Sequence, residues 1–225
     1  MSQRIAIIDL GSNTTRMVIY EYERDRYFRL KDEIREVVRL REGMGRTNVL
    51  RAAAIQRAIN AMRMFRELVD DREVEGVIAV TTSAVRDAVN RDTFLARVKA
   101  ETGWDLRTLS GKEEGYYGAL GAVNATCLRE GFVVDLGGGS IQITEVKGGL
   151  PDRSVSLPLG ALRLTELFLS PDRIAPEQVA SLRAFIAEQV AQVSWFQAQP
   201  SHTLVAIGGA IRNLGKIDQE RKRYP

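Results

Sequence analysis

The segment that leads into Asp135 and ends at Ser140 has the composition of a phosphate-binding turn. Two β-forming valines precede Asp135, and the sequence Leu-Gly-Gly-Gly-Ser follows it. A strand that ends this way presents backbone N–H groups beside a carboxylate, and such N–H groups suit a phosphate. Because a carboxylate repels a phosphate unless a cation lies between them, the pairing predicts Mg²⁺. The alternative is an ordinary tight turn, since glycine is favoured wherever φ must be positive.

A second copy of this pattern lies near the N-terminus. There a strand-like run leads into Asp9, a leucine, Gly11, Ser12 and Asn13, and Asp9 lies 126 positions before Asp135. Both copies then continue as a predicted strand. Internal self-similarity indicates repeated structural units. We therefore predict two domains of like topology, residues 1–125 and 126–225, each with a strand, a phosphate-sized turn and a returning strand.

Charged side chains follow at two predicted helix starts. Residues 74–80 are an apolar run that predicts a buried strand, and Arg86 lies just beyond its C-terminal end. Ligands of open α/β sheets bind at this end, so Arg86 is a candidate for phosphate contact, with a surface arginine as the alternative. Ser110 is a predicted N-cap, followed by Glu113 and Glu114. These glutamates suit the helix dipole, and one of them is a candidate general base.

The elements that must position these residues alternate between strands and helices. Apolar residues at the spacing of one helical face predict a helix over residues 50–69 and another over residues 175–196. Residues 203–207 are predicted as a strand that ends in Gly208 and Gly209, a third junction suited to close approach. A strand, a helix and a strand of these lengths imply a right-handed parallel crossover.

Composition narrows the possible classes of protein. The chain has 225 residues with 44% hydrophobic and 27% charged residues, which is ordinary for a globular protein of one or two domains. Its net charge of +3 is interspersed, so nucleic-acid binding is not expected. One cysteine and one histidine exclude an intramolecular disulfide and disfavour zinc. No apolar run reaches the ~20 residues of a membrane span, so we expect a cytoplasmic protein; a homodimer is compatible with the sequence.

Four motifs, at residues 9–17, 82–90, 110–114 and 135–140, occur in order along the chain. Together they resemble the exopolyphosphatase/guanosine pentaphosphate phosphatase (Ppx/GppA) family, over the whole chain. The resemblance implies an α/β, actin-like (ribonuclease H-like) two-domain fold with mixed sheets flanked by helices and an active site in the interdomain cleft. It also implies Mg²⁺-dependent removal of terminal phosphate from polyphosphate, guanosine pentaphosphate or both.

The resemblance also implies a role for individual residues. Asp9 and Asp135 would hold the metal, and Glu114 matches the catalytic base, with Glu113 as the alternative. Gly208 and Gly209 fall at the later glycine turn of the actin-like fold. The phosphate-binding residues would be Gly11, Ser12, Asn13, Arg16, Arg86, Gly137, Gly138, Gly139 and Ser140.

The sequence departs from the family pattern in two places. Where the family has Gly-Gly-Gly-Ser-Thr-Glu, this chain has Gln142, which adds no charge to offset Mg²⁺ and implies weaker metal binding. Family members also continue past residue 225, which implies that the C-terminal part of the second domain is missing. Two other functions stay open. One is an actin-like kinase or ATPase, and the other is a non-catalytic sensor of polyphosphate or nucleotide.

Overall fold

A computed structural model describes residues 2–224, which divide into two units. The first unit ends at Leu109 and the second begins at Ser110. The sequence predicts the boundary at residue 125 instead. The helix between the two boundaries, Gly111–Thr126, packs on the sheet of the second unit.

The first unit contains five strands and three helices. Its sheet has the order β3-β2-β1-β4-β5. Strands β1, β2 and β3 are antiparallel neighbours, whereas β4 runs parallel to β1 and β5 parallel to β4. The elements are β1 (Gln3–Leu10), β2 (Thr14–Glu23), β3 (Tyr27–Val37), α1 (Ala52–Asp71), β4 (Gly76–Thr81), α2 (Ser83–Arg86), α3 (Arg91–Thr102) and β5 (Arg107–Thr108).

Helix α1 confirms the helical periodicity of its segment. It buries Ala54, Ala58, Met62, Phe65 and Val69 on one face, which joins the main apolar core of the first unit. The helix begins two residues later than predicted and has no side-chain N-cap. Its stability therefore derives from burial of this face, as is usual for helices in proteins.

The second unit repeats the strand arrangement of the first. Its four-stranded sheet has the order β8-β7-β6-β9, which matches β3-β2-β1-β4 strand by strand and in direction. The predicted like topology of the two halves is thereby confirmed. The elements are α4 (Gly111–Thr126), β6 (Gly131–Leu136), β7 (Ile141–Lys147), β8 (Leu150–Leu157), α5 (Ala161–Phe168), α6 (Pro176–Ala191), β9 (Thr203–Ile207) and α7 (Gly209–Lys222).

Helix α4 packs on the second sheet through a glycine stripe, Gly111, Gly115 and Gly118. A Cβ on Gly111 would overlap Ser156 of β8, and a Cβ on Gly115 would lie 3.0 Å from Thr144 Oγ1 on β7. Residues three and four apart lie on one helical face, so the stripe brings the helix backbone close to the strands. The helix therefore belongs to the second unit, although it precedes the predicted boundary.

Apolar clusters cover both faces of the second sheet. One contains Ala119 and Val123 of α4 with Val133 of β6, and the other contains Ile143 of β7 with Leu164 of α5. Within residues 2–224 no helix combines the length and the apolar character needed to cross a lipid bilayer.

Candidate active site

The first loop, residues 11–13, joins β1 to β2. The N–H of Gly11 donates to the carbonyl of Thr14 at 3.0 Å. Behind the loop, Arg41 N–H donates to the carbonyl of Ser12 and Arg39 N–H to that of Asn13, at 3.0 and 2.8 Å. The N–H and C=O of a trans peptide point in opposite directions, so the N–H groups that follow these carbonyls face the other side. The loop thus presents donors where an anion can bind.

The second loop, residues 137–140, has the same construction between β6 and β7. The N–H of Gly137 donates to the carbonyl of Ser140 at 3.0 Å, the counterpart of the bond across the first loop. From behind, Arg163 N–H donates to the carbonyl of Gly138 at 3.1 Å, and its Nε donates to that of Gly139 at 2.8 Å. The two loops are therefore equivalent turns, each with its carbonyls bound from one side.

The first glycine of each loop is required by close approach. Neither Gly11 nor Gly137 has a positive φ. A Cβ would instead lie 2.9 Å from the carbonyl oxygen of Thr14 in the first loop and 3.2 Å from that of Ser140 in the second. At these two positions the structure favours the close-approach interpretation over a turn that needs positive φ.

Arg86 lies on an element that contacts the first loop. The hydroxyls of Ser12 and Ser83 are 2.9 Å apart and buried, which joins the loop to the start of α2. Arg86, at the end of α2, is partly buried and donates to the carbonyl of Leu109 at 3.0 Å. The side chain of Arg41 is 1% exposed. Its Nη1 lies 3.8 Å from Oδ2 of Asp87, the residue that follows Arg86. These contacts fix the arginine segment relative to the loop.

Arg16 lies on strand β2 and not in the turn. It is the cross-strand neighbour of Asp9, and its Nε lies 2.8 Å from Glu33 on β3. Its side chain is 44% exposed. The structure therefore brings Arg16 beside the predicted metal ligand but also gives it a carboxylate partner within the sheet.

Asp135 lies between two glycines of the second unit. A Cβ on Gly208 would be 2.9 Å from its Oδ1, and one on Gly118 would be 3.4 Å from its Oδ2. Burial raises the pKa of the Asp135 carboxyl above its ordinary value, and the positive charge of Arg212 opposes part of this rise. No donor within the described residues hydrogen-bonds this carboxylate. A partly buried carboxylate without a donor is a suitable ligand for a hard cation.

Asp9 and Asp135 suit Mg²⁺ better than they suit a metal ion whose ligands all come from protein side chains. The described residues contain no cluster of three or more histidine, cysteine, aspartate or glutamate side chains that could hold a metal. Mg²⁺ commonly uses one or two carboxylates and completes its coordination with substrate phosphates and water. Within its own unit, each loop has one carboxylate of this kind beside it, Asp9 at the first loop and Asp135 at the second.

Gln142 is directed into the second unit. It lies opposite Asp135 on the neighbouring strand and is 1% exposed. Its Nε2 donates to the hydroxyls of Ser140 and Ser156, at 2.8 and 3.0 Å. The amide thus orients the last residue of the second loop and ties it to β8, a role that the sequence did not indicate.

The two candidate glutamates have different environments. Glu113 completes a capping box, in which its Oε2 accepts from Ser110 N–H at 2.9 Å and its own N–H donates to Ser110 Oγ at 3.2 Å. This confirms Ser110 as the N-cap. Glu114 lies on the side of the helix that carries Gly111 and Gly118, because residues three and four apart share a face. Glu114 therefore lies on the side that faces the sheet of Asp135, which favours it over Glu113 as the base.

The residues behind the second loop were not found from the sequence. Gly160 and Arg163, which follow β8, contact a loop about twenty positions earlier. The only signal for them was the internal repeat, because Arg41 follows β3 and supports the first loop in the same way.

Comparisons with known proteins identify the family and the fold of this chain. A model of the Ppx/GppA phosphatase family matches residues 18–222. Exopolyphosphatase 1 of Mycobacterium tuberculosis is 28% identical over 218 residues, which cover 95% of this chain and 63% of that protein. A solved Aquifex aeolicus PPX-GPPA enzyme has a TM-score of 0.78 at 31% identity, over 100% of this chain and 74% of its own. A solved exopolyphosphatase from Cytophaga hutchinsonii has a TM-score of 0.86 at 25% identity, over 98% and 72%.

Several curated relatives are longer than this chain, which spans 35%, 65% and 63% of the length of three of them. The solved neighbours have the actin-like fold, and this confirms the predicted fold class, an α/β fold with two mixed sheets flanked by helices.

Proposed function

The chain belongs to the Ppx/GppA phosphatase family, and on this premise we propose that it hydrolyses the terminal phosphate of inorganic polyphosphate, guanosine pentaphosphate or both. The relatives named exopolyphosphatase support the first of these substrates. The proposal includes Mg²⁺ as cofactor, and it takes each loop as a candidate binding site for phosphate.

The observation that carries this proposal is the repeated turn. Each loop has its carbonyls bound from behind, by Arg41 in the first unit and Arg163 in the second. Each therefore presents N–H donors, and the next-to-last residue of the strand before it is a carboxylate. Preorganised donors of this kind stabilise the charge that develops on a transferred phosphoryl group.

Glu114 is the proposed general base. It accepts a proton from the water that attacks the terminal phosphorus, and the rest of the phosphate chain departs from the opposite side. Glu113 is occupied by the capping box with Ser110. Asp9 and Asp135 would hold Mg²⁺, which when bound offsets the negative charge of the substrate and of these carboxylates.

The test is a phosphate-release assay on long-chain polyphosphate and on guanosine pentaphosphate, with MgCl₂ or with EDTA. We expect Glu114→Gln to lower the rate by about 10²–10⁴-fold, the usual contribution of a general base. Glu113→Gln is the matched control, since glutamine also serves in a capping box and should leave both rate and stability nearly unchanged.

The other outcomes distinguish the remaining functions. If Glu114→Gln retains the rate of the unaltered chain, the assignment of the base is wrong. Hydrolysis of ATP without hydrolysis of either substrate would identify the kinase or ATPase alternative. Tight substrate binding without turnover at any Mg²⁺ concentration would identify a sensor. Gln142 favours this alternative, because it is uncharged and its amide is hydrogen-bonded to Ser140 within the unit.

A further inference from the structure

The segment after β9 repeats the segment after β4. Strand β4 is the parallel neighbour of the strand before the first loop, and β9 is the parallel neighbour of the strand before the second. Each ends at an N-cap residue that begins a helix. The first unit has Thr82, Ser83, Ala84, Val85 and Arg86 here, and the second has Gly208, Gly209, Ala210, Ile211 and Arg212.

Arg86 and Arg212 occupy the same position of these helices. Each is the fourth residue after its N-cap, and each donates its backbone N–H to the carbonyl of that cap. The distance is 3.0 Å from Arg86 to Thr82 and 3.2 Å from Arg212 to Gly208. Arg212 is thus the counterpart, in the second unit, of the arginine that the sequence predicts to bind phosphate.

The guanidinium of Arg212 lies at the N-terminal end of α7. Its Nη2 is 4.0 Å from the point where a Cβ of Gly209, the first residue of the helix, would be. This end of a helix carries partial positive charge, so a cation here is unfavourable without an anion nearby. An anion, Asp135, lies at the same turn, because a Cβ on Gly208 would be 2.9 Å from its Oδ1. Donors and cation together suit a bound phosphate group.

We propose that Arg212 binds a phosphate group of the substrate at the second loop, as the counterpart of Arg86 at the first. The proposal rests on the proposed function for the identity of the anion. The guanidinium would pair with phosphate oxygens beside Gly208 and Gly209, a geometry that arginine favours over lysine. The alternative is an exposed arginine that only solvates the surface of α7.

The chain offers a matched control in Lys216, an exposed cation one turn further along the same helix. Arg212→Gln and Lys216→Gln remove the same charge from α7. For polyphosphate we expect Arg212→Gln to raise KM by at least about 10-fold, the loss of a hydrogen bond to a charged group. Lys216→Gln should leave KM unchanged. An effect on KM with little change in kcat indicates binding that is equal in the ground state and the transition state.

A binding measurement separates this inference from the proposed function. Calorimetric titration with sodium tripolyphosphate needs no turnover. We expect weaker binding for Arg212→Gln than for Lys216→Gln, partial recovery for Arg212→Lys, and no loss of thermal stability in any of the three variants. If this pattern holds while the unaltered chain releases no phosphate, the proposed function fails and the role of Arg212 stands. If Arg212→Gln binds tripolyphosphate as Lys216→Gln does, Arg212 is not a phosphate ligand.

Discussion

Gly160 offers the sharpest test of how the second loop is held. It is the N-cap residue of α5, and its backbone, with φ of −68° and ψ of 146°, is one that alanine adopts without strain. A Cβ there would overlap backbone atoms of Gly139 and Ser140, far inside the 3.4 Å at which ordinary contact begins. Gly160→Ala therefore acts through this overlap and not through its own φ and ψ.

The expected effect follows from the overlap between the new Cβ and the loop backbone, which has to be relieved. Either the loop or the start of α5 has to retreat by about 1 Å, and a misplacement of this size at a reacting group costs about 10²-fold in rate. Forced overpacking also destabilises, by about 1–3 kcal/mol. Because α5 is joined to the loop by the bonds of Ala161 and Arg163, movement of either element alters the N–H groups that face the phosphate.

The assay is steady-state phosphate release from polyphosphate, with urea unfolding as the measure of stability. Gly121→Ala is the control, because no atom lies within 4 Å of its Cβ position and alanine is favoured over glycine in a helix by about 1 kcal/mol. We expect Gly121→Ala to be at least as stable and as active as the unaltered chain. Unchanged kcat/KM in Gly160→Ala would refute the claim that α5 fixes the second loop.

Two further predictions concern Asp135 and its neighbour. Burial raises the folded pKa of Asp135 above the ordinary value of 3.8, so the contribution of this carboxyl to the free energy of unfolding falls as pH rises above 3.8. In EDTA, urea unfolding should therefore show Asp135→Asn to be more stable than the unaltered chain above that pH and equally stable below it. The variant should also be inactive. A stability difference that persists below pH 3.8 would contradict this cause. Gln142→Glu places a second carboxylate opposite Asp135 at a position that is 1% exposed, so in EDTA we expect a loss of at least about 1–3 kcal/mol, the cost of a buried polar group left unpaired. Its melting temperature should then rise more steeply with MgCl₂ than that of the unaltered chain, and an equal rise would exclude position 142 from metal binding.

The two turns and the strands that flank them were predictable from local sequence. Asp9 and Asp135 each lie next to last in a strand, with a leucine and then a glycine after them, and such a pattern needs no distant partner to be recognised. The C-terminal end of α6, in contrast, was predicted wrongly. The sequence extends this helix to residue 196, but it ends at Ala191. Trp195 instead stacks on Phe132 of β6 at a centroid distance of 6.5 Å, and Phe196 meets the same ring edge to face at 4.9 Å. Tertiary packing overrode helical periodicity there.

The assignment of α4 to the second unit also depends on tertiary packing. Glycines in a helix suggest weakness or close approach, and the sequence alone does not say what is approached. The structure supplies Ser156, Thr144 and Asp135 as the partners of the stripe. The candidate base Glu114 therefore belongs to the same unit as the second loop.

The second loop gathers several features that are unfavourable to folding. Asp135 is a carboxylate whose charge is opposed by burial, and Gly208, with φ of +103°, leaves no room for a side chain beside it. Arg212 holds a cation at the positive end of a helix. Each feature alone lowers stability, and a cation and a phosphate bound here would offset the charges of Asp135 and Arg212. Such a concentration of local costs is expected where a protein is organised around a ligand and not around its own core.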